Sequence, residues 1–364
     1  MTTPLDRDVA GLFCVGFHGK TPSPEVLELV RRGVHGVVLF GRNVEDAEQV
    51  AELVGALKRA AGRPLLVSVD QEGGRVARLR APQGFTELPP MRALGEAGDE
   101  RLAFEVGGLL GRELRAVGID HDYAPVVDVD TNPLNPVIGD RSFSRDPEVV
   151  GRLGAALARG LQAEGVAACA KHFPGHGDTS QDSHHDLPRL PHSLGRLVAV
   201  ELRPFVEAAR AGVASVMTAH VVFDALDPDR PATLSPSVMR LLRDQTGFGG
   251  CAISDDLEMK AVAEHFPLEV SAPGTLAAGV DALLVCHHAE VQHRAIDLVR
   301  QAVEGGRIPP ERLAEARRNV ARLLHWAGPP PDPRAVRARL RTEGHLALAA
   351  RLPALAGGRD PTAV

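Results

Sequence analysis

The residues that could do chemistry concentrate between Lys171 and Pro188, in the stretch KHFPGHGDTSQDSHHDLP. Histidines at 172, 176, 184 and 185 alternate there with Asp178, Asp182 and Asp186, and glycines and prolines separate them. Three uses fit. A metal cage could draw on His172, His176, Asp178, Asp182 and His184, but their spacing matches no helical zinc pattern and the glycines leave the frame poorly fixed. A polar surface loop without a task would be an odd sequel to a buried apolar run. A proton-transfer device needs a histidine oriented by a carboxylate and placed near a nucleophile. Asp182-Ser183-His184 offers that pair, because residues two apart can fold so that the carboxylate meets one ring nitrogen and leaves the other to move a proton. Histidine titrates near neutral pH, so one imidazole can act as acid and then as base. The nucleophile in this arrangement is Asp255, at the end of a different apolar run.

These residues need elements to hold them. Short apolar runs, many of them β-branched, recur along the chain: LFCVGF from Leu12, VHGVVLF from Val34, PLLVSVD from Pro64 and DYAPVVDVD from Asp122. GVAACAKHF from Gly165, VASVMTAHV from Val213, GCAISDD from Gly250 and VDALLVCHH from Val280 complete a set of eight. Their nearly unbroken apolar character predicts strands covered on both faces, as in a parallel sheet. Helical periodicity lies between most of them, with recognisable punctuation. Ser23-Pro24-Glu25 opens a helix that Gly33 ends; Glu45 to Ala61 stops at Gly62; Asp146-Pro147-Glu148 and Ser235-Pro236-Ser237 each open another; Ala289 to Glu304 runs to Gly305.

Eight strand–helix repeats read as one (β/α)8 TIM-type barrel over residues 1–328. A doubly wound open sheet would carry a Gly-rich phosphate turn after an early strand, and none is present. Pro309 to Trp326 is expected to pack against the barrel as a closing helix. Residues 329–364 read as a proline-rich C-terminal tail, extended through PPPDP, helical toward Ala356 and disordered in its final GGRDPTAV.

An active site in such a barrel lies at the C-terminal ends of the strands. The third run ends in Asp70 and is followed by QEGGR; the fourth ends in Asp128 and Asp130; the fifth in Lys171-His172. The sixth ends in His220, the seventh in Asp255-Asp256 and the eighth in His287-His288. A single strand-end aspartate is commonly a cap for the next helix. Ionisable ends on six of the eight strands predict a polar pocket.

Composition narrows the partners. The chain has 364 residues, 44% apolar and 24% charged, with a formal net charge of -6. No basic block marks a nucleic-acid surface, and aromatics at 4% supply no stacking platform for single strands. No apolar run is long enough to cross a membrane as a helix, and MTTPLDRDVAGLF lacks the form of a secretory signal. Cys14, Cys169, Cys251 and Cys286 stand far apart inside apolar runs, as expected of buried thiols in a reducing compartment. The default expectation is a cytoplasmic monomer without membrane or nucleic-acid partners.

With these segments in hand the sequence resembles bacterial β-N-acetylglucosaminidases of glycoside hydrolase family 3. The matching segments are VDQEGGRV from Val69, APVVDVD from Ala124, NPVIGDRSF from Asn135, the stretch from Lys171, MTAHV from Met217 and ISDDLEMKA from Ile253. They occur in the family's order and span roughly Leu12 to Trp326.

The resemblance implies a retaining, two-step hydrolysis of terminal non-reducing β-N-acetylglucosamine. Asp255 would be the nucleophile that forms a covalent glycosyl-enzyme, His184 the acid/base, and Asp182 the carboxylate that fixes its tautomer, in place of the usual pair of carboxylic acids. Asp70, Arg141, Lys171 and His172 would bind the sugar, and His220 would stand at the pocket rim. Asp128 and Asp130 are assigned to structure, Asp256 to support or a helix start, and His287 and His288 to no role. Gly175, Gly177 and two prolines suggest a loop able to swing over the sugar. Many family members carry a second domain that supplies a glutamate acid, which the Asp182–His184 pair would make unnecessary. The resemblance and the expected compartment together imply a peptidoglycan-fragment substrate, N-acetylglucosamine joined to anhydro-N-acetylmuramic acid with or without peptide. No metal or organic cofactor is implied. The alternatives are a phosphorylase or a β-glucosidase on the same site, or an inactive sugar-binding protein.

Overall fold

Eight parallel strands close on themselves in chain order. In the computed structural model, which describes residues 3–180 and 187–352, they are β1 (Phe13–Val15), β2 (Gly36–Leu39), β3 (Leu66–Val69) and β4 (His121–Asp122). They continue as β5 (Ala167–Phe173), β6 (Ser215–Thr218), β7 (Cys251–Asp256) and β8 (Ala282–Val285). Each pairs with its sequence neighbours, and β1 meets β8 with Phe13 opposite Leu283 to close the barrel. Seven fall inside the apolar runs of the sequence, and β4 overlaps the fourth run only at Asp122. Helices on the outside bury the other faces, which explains why strand residues such as Val37, Val67, Ala168 and Ala252 are fully buried.

The helix punctuation reads as the sequence predicts. Ser23 Oγ accepts from Val26 N ahead of Pro24–Arg32, Asp146 accepts from Glu148 N ahead of Pro147–Ala163, and Ser235 Oγ accepts from Val238 N ahead of Pro236–Thr246. Pro310–Leu323 packs on the outside of the barrel against β7 and the helix Leu268–Ala278.

Three features depart from the reading of the sequence. The fourth run is extended in strand pairing only at His121–Asp122, with a lone bridge from Val126 to Lys171, because Pro125 has no N–H to donate. After β3 the chain turns back in a small hairpin, Gln71–Gly73 against Val76–Ala77. Among the described residues the tail forms short turns at Pro333–Ala335 and Arg337–Arg339 and a helix over Glu343–Ala349. It lies against the barrel's own helices: Val336 is fully buried, and His345 Nδ1 is 2.9 Å from Glu113 Oε1. The final GGRDPTAV lies outside the described residues.

Candidate active site

The C-terminal ends of the strands enclose a cavity with about 690 Å³ of unfilled space, counting the part open to solvent. Asp70, Arg141, Lys171, His172 and Asp255 all line it, together with Phe40, Arg78, Tyr123, His176, Asp256, Met259 and His287. Five residues singled out in the sequence thus meet in one cavity, although the chain separates Asp70 from Asp255 by most of the barrel.

One side of the cavity is a charge-compensated cluster. Lys171 Nζ stands 2.6 Å from Asp70 Oδ1 and 2.7 Å from Glu72 Oε1. Arg141 donates from Nε and Nη2 to the two oxygens of Glu72, both at 2.8 Å, and from Nη1 to Val137 O. Burial alone would raise the Glu72 carboxyl, but Arg141 and Lys171 outweigh it and hold Glu72 well below the usual carboxylate range. Burial likewise opposes the charge on Lys171, and Asp70 and Glu72 reverse that effect and raise it. Beneath the cluster, Asp122 accepts from Gln71 N at 2.9 Å, and burial, reinforced by the neighbouring Asp70 and Glu72, pushes its carboxyl well up. Burial thus biases Asp122 toward its neutral form, whereas Arg141 and Lys171 hold Glu72 in its charged one.

The loop after β4 orients the residues that follow β5. Buried Asp128 accepts from His172 Nδ1 at 2.7 Å and from His176 N at 2.6 Å. That fixes the His172 ring and, among the described residues, leaves its Nε2 for the cavity. His176 is fully enclosed, its Nδ1 2.9 Å from Thr179 Oγ1, and burial lowers it to about 4. Asp130 pairs with Arg92 at 2.7 Å. The structural roles expected of Asp128 and Asp130 agree with these contacts. Of the side chains once weighed as a metal cage, His172, His176 and Asp178 are engaged by Asp128, Thr179, Thr131 and His192.

At the end of β7, Asp256 N donates to Asp255 Oδ1 at 2.8 Å. The carboxylate of Asp256 accepts from Cys286 N and Glu258 N, and its Oδ2 lies 3.0 Å from His287 Nε2. Asp256 thus ties the turn after β7 to the end of β8. His220 does not line the cavity. Its ring is buried behind Asp255, with Nδ1 2.9 Å from Thr233 Oγ1 and Nε2 2.9 Å from Asp256 O. His287 does line it, beside the Phe40 ring at 5.6 Å, whereas His288 turns away to Glu258.

Asp182 and His184 lie outside the described residues, as does the proposed swing of their loop. The glycines on its approach have a different explanation. A Cβ on Gly177 would meet Val129 O at 1.8 Å, and one on Gly175 would press on the Glu201 side chain at 2.9 Å. They are required by close packing.

The side chains that reading the sequence missed are Glu72, Arg78, Tyr123 and Phe40; His176 was considered only as a metal ligand and His287 was named without a role. Glu72 and Arg78 had a visible signal, since both lie in the polar VDQEGGRVAR run directly after β3. Tyr123 and Phe40 look like core residues in sequence and had none.

The chain matches the description "Glycosyl hydrolase family 3 N terminal domain" over residues 4–323. The chain belongs to glycosyl hydrolase family 3. A beta-hexosaminidase of Bordetella parapertussis is 41% identical over 271 residues, covering 72% of this chain and 76% of that one. A beta-hexosaminidase of Thiobacillus denitrificans is 41% identical over 295 residues, 79% of each chain. A family 3 beta-N-acetylglucosaminidase structure from a Paenibacillus species superposes with a TM-score of 0.89 at 42% identity, covering 96% of this chain and 68% of that one. NagZ of Neisseria gonorrhoeae, solved with N-trifluoroacetyl-D-glucosamine, gives a TM-score of 0.77 at 36% identity, covering 94% and 97%. Among the described residues no helix is long and apolar enough to cross a membrane.

Proposed function

We propose that the cavity takes one terminal N-acetylglucosamine residue and cleaves its β-glycosidic bond in two steps with retention of configuration. The chain is a β-N-acetylhexosaminidase by family membership and by relatives at about 40% identity. The assignment of roles is our reading. Asp255 attacks the anomeric carbon and the sugar is carried as a glycosyl ester. His184 protonates the leaving oxygen and then deprotonates the incoming water, with Asp182 stabilising its cation. The observation that carries this reading is the convergence of Asp255 with Asp70, Lys171, Arg141 and His172 in one cavity.

The donors available there suit a polyhydroxyl ligand. Of the three N–H groups on Lys171, two face Asp70 and Glu72; of the five on Arg141, three are used on Glu72 and Val137. The remaining donors and the open side of Asp70 can meet hydroxyls that both give and accept. Because the donors are charged and already held by carboxylates, their bonds to the sugar are strong and need little reordering.

The substrate we infer is a peptidoglycan fragment bearing this sugar at its non-reducing end, acted on in the cytoplasm. Four buried cysteines, all free, suit a reducing compartment.

Trapping tests the chemistry. An activated, fluorinated N-acetylglucosamine should leave a stable adduct on the peptide containing Asp255, and released product should keep the β configuration. An adduct elsewhere, or an inverted product, overturns the reading. Asp255→Ala should lose turnover of an aryl N-acetyl-β-glucosaminide by roughly a thousandfold or more.

A further inference from the structure

The two chain segments that flank residues 181–186 are joined by a contact that the proposed chemistry does not use. His192 Nε2 lies 2.8 Å from Asp178 Oδ2, and the two side chains are only 14% and 25% exposed. Asp178 follows β5, and His192 precedes the helix Leu194–Ala199. The approach is close without being aligned as a hydrogen bond, since His192 Nε2 has no hydrogen-bond partner.

Each side of this contact is anchored independently. Thr131 Oγ1 donates to Asp178 Oδ1 at 2.8 Å, and Asn135 Nδ2 donates to His176 O at 2.8 Å. Asn132 Nδ2 donates to Thr179 O at 3.2 Å. On the far side Arg189 and Leu190 pair in register with Val222 and Phe223, and Arg189 Nη2 donates to Asp224 Oδ1. His192 also lies within electrostatic reach of buried Glu201, whose Oε1 is held by Arg196 at 2.9 Å and whose Oε2 has no hydrogen-bond partner. The imidazole thus meets the Asp178 carboxylate directly and feels that of Glu201 at longer range.

Partly exposed ion pairs add little to stability, so a stabilising role is a weak reason for this arrangement. Its location supplies a better one. Proton transfer to a leaving oxygen depends steeply on placement, and a displacement of about 1 Å can cost on the order of a hundredfold in rate. We propose that Asp178 and His192 are positioning residues for the hydrolysis. By tying the two roots together they set where the proton-donating side chain stands relative to the leaving oxygen. This rests on the reading of His184 as the acid/base.

The test compares full-length His192→Gln and Asp178→Asn with the parent chain on two N-acetyl-β-glucosaminides, one with a dinitrophenyl group and one with a methyl group. The activated phenol leaves without protonation; the alcohol does not. Both variants should lose roughly 10- to 100-fold in kcat/KM, which reports the step that expels the leaving group, on the methyl glycoside and at most about threefold on the dinitrophenyl one. Equal losses on the two substrates, with or without a lower Tm, would identify a merely structural contact and overturn the proposal, as would no loss on either. His184→Ala is run alongside. If it too loses both substrates equally, the acid/base reading itself fails; if it alone shows the selective loss, only the positioning role fails.

Discussion

At the scale of residues, Glu72 organises the cavity although reading the sequence did not single it out. It is buried, accepts two bonds from Arg141 and faces Lys171, so it lets two cations stand side by side under a polar ligand. Removing its charge would leave Arg141 without its carboxylate and Lys171 with Asp70 alone. Glu72→Gln should lose roughly 3–5 kcal/mol, read as a lower urea midpoint, together with a higher KM for the sugar. An unchanged midpoint would show that Asp70 alone balances the pair. The strand-end aspartates are likewise separated by environment. Burial pushes the Asp122 carboxyl up, Asp128 is held down despite burial by His172 and orients its ring, and Asp70 and Asp255 are partly exposed at the ends of their strands.

At the scale of elements, the ends of β4 and β5 behave as one unit. Asp128, Asn132 and Asn135 after β4 hold the backbone of residues 172–179 after β5, and Gly177 lies directly against Val129 O. Gly177→Ala must push these segments apart. It should lower kcat/KM by at least about tenfold, because a shift of about 1 Å at His172 or beyond is felt in the transition state. Kinetics with the aryl glycoside check this, and wild-type values would mean the two loops can separate without disturbing the cavity. Helix entry is simpler. Asp146→Ala removes one cap bond ahead of Pro147–Ala163 and should lose about 1 kcal/mol with no change in kcat.

At the scale of the whole molecule, the tail and the buried histidines set stability. Arg341 N donates to Glu113 Oε1 and His345 Nδ1 lies beside the same oxygen, while Val336 fills a fully buried place in the core. Deleting residues 329–364 should lower Tm by at least about 5 °C, measured by calorimetry. Buried His35 and His176 are lowered to about 4, and His121 to about 3, in each case chiefly by burial. They remain neutral in the folded chain at pH values where the unfolded chain binds protons. The unfolded state takes up more protons between about pH 4 and 6.5, so stability rises with pH across that window and falls on acidification, by up to about 1.4 kcal/mol per pH unit for each histidine. Urea midpoints measured from pH 4.5 to 7 should climb and then level; a flat profile would mean the imidazoles accept protons in place.

The barrel was legible in the sequence because it depends on local regularities: eight apolar runs covered on both faces, and caps such as Ser23, Asp146 and Ser235 at the helix starts. Asp70, Lys171, His172 and Asp255 were legible for the same reason, since a strand that ends in a charge places it at the barrel mouth. Which charges face one another was decided only in three dimensions. Glu72 meets Arg141 across 69 positions of chain, and His220 turns to Thr233 and Asp256 instead of the cavity. Spacing along a chain reports the period of its strands and helices, whereas the partners of a buried polar group depend on how distant strand ends are brought around one axis.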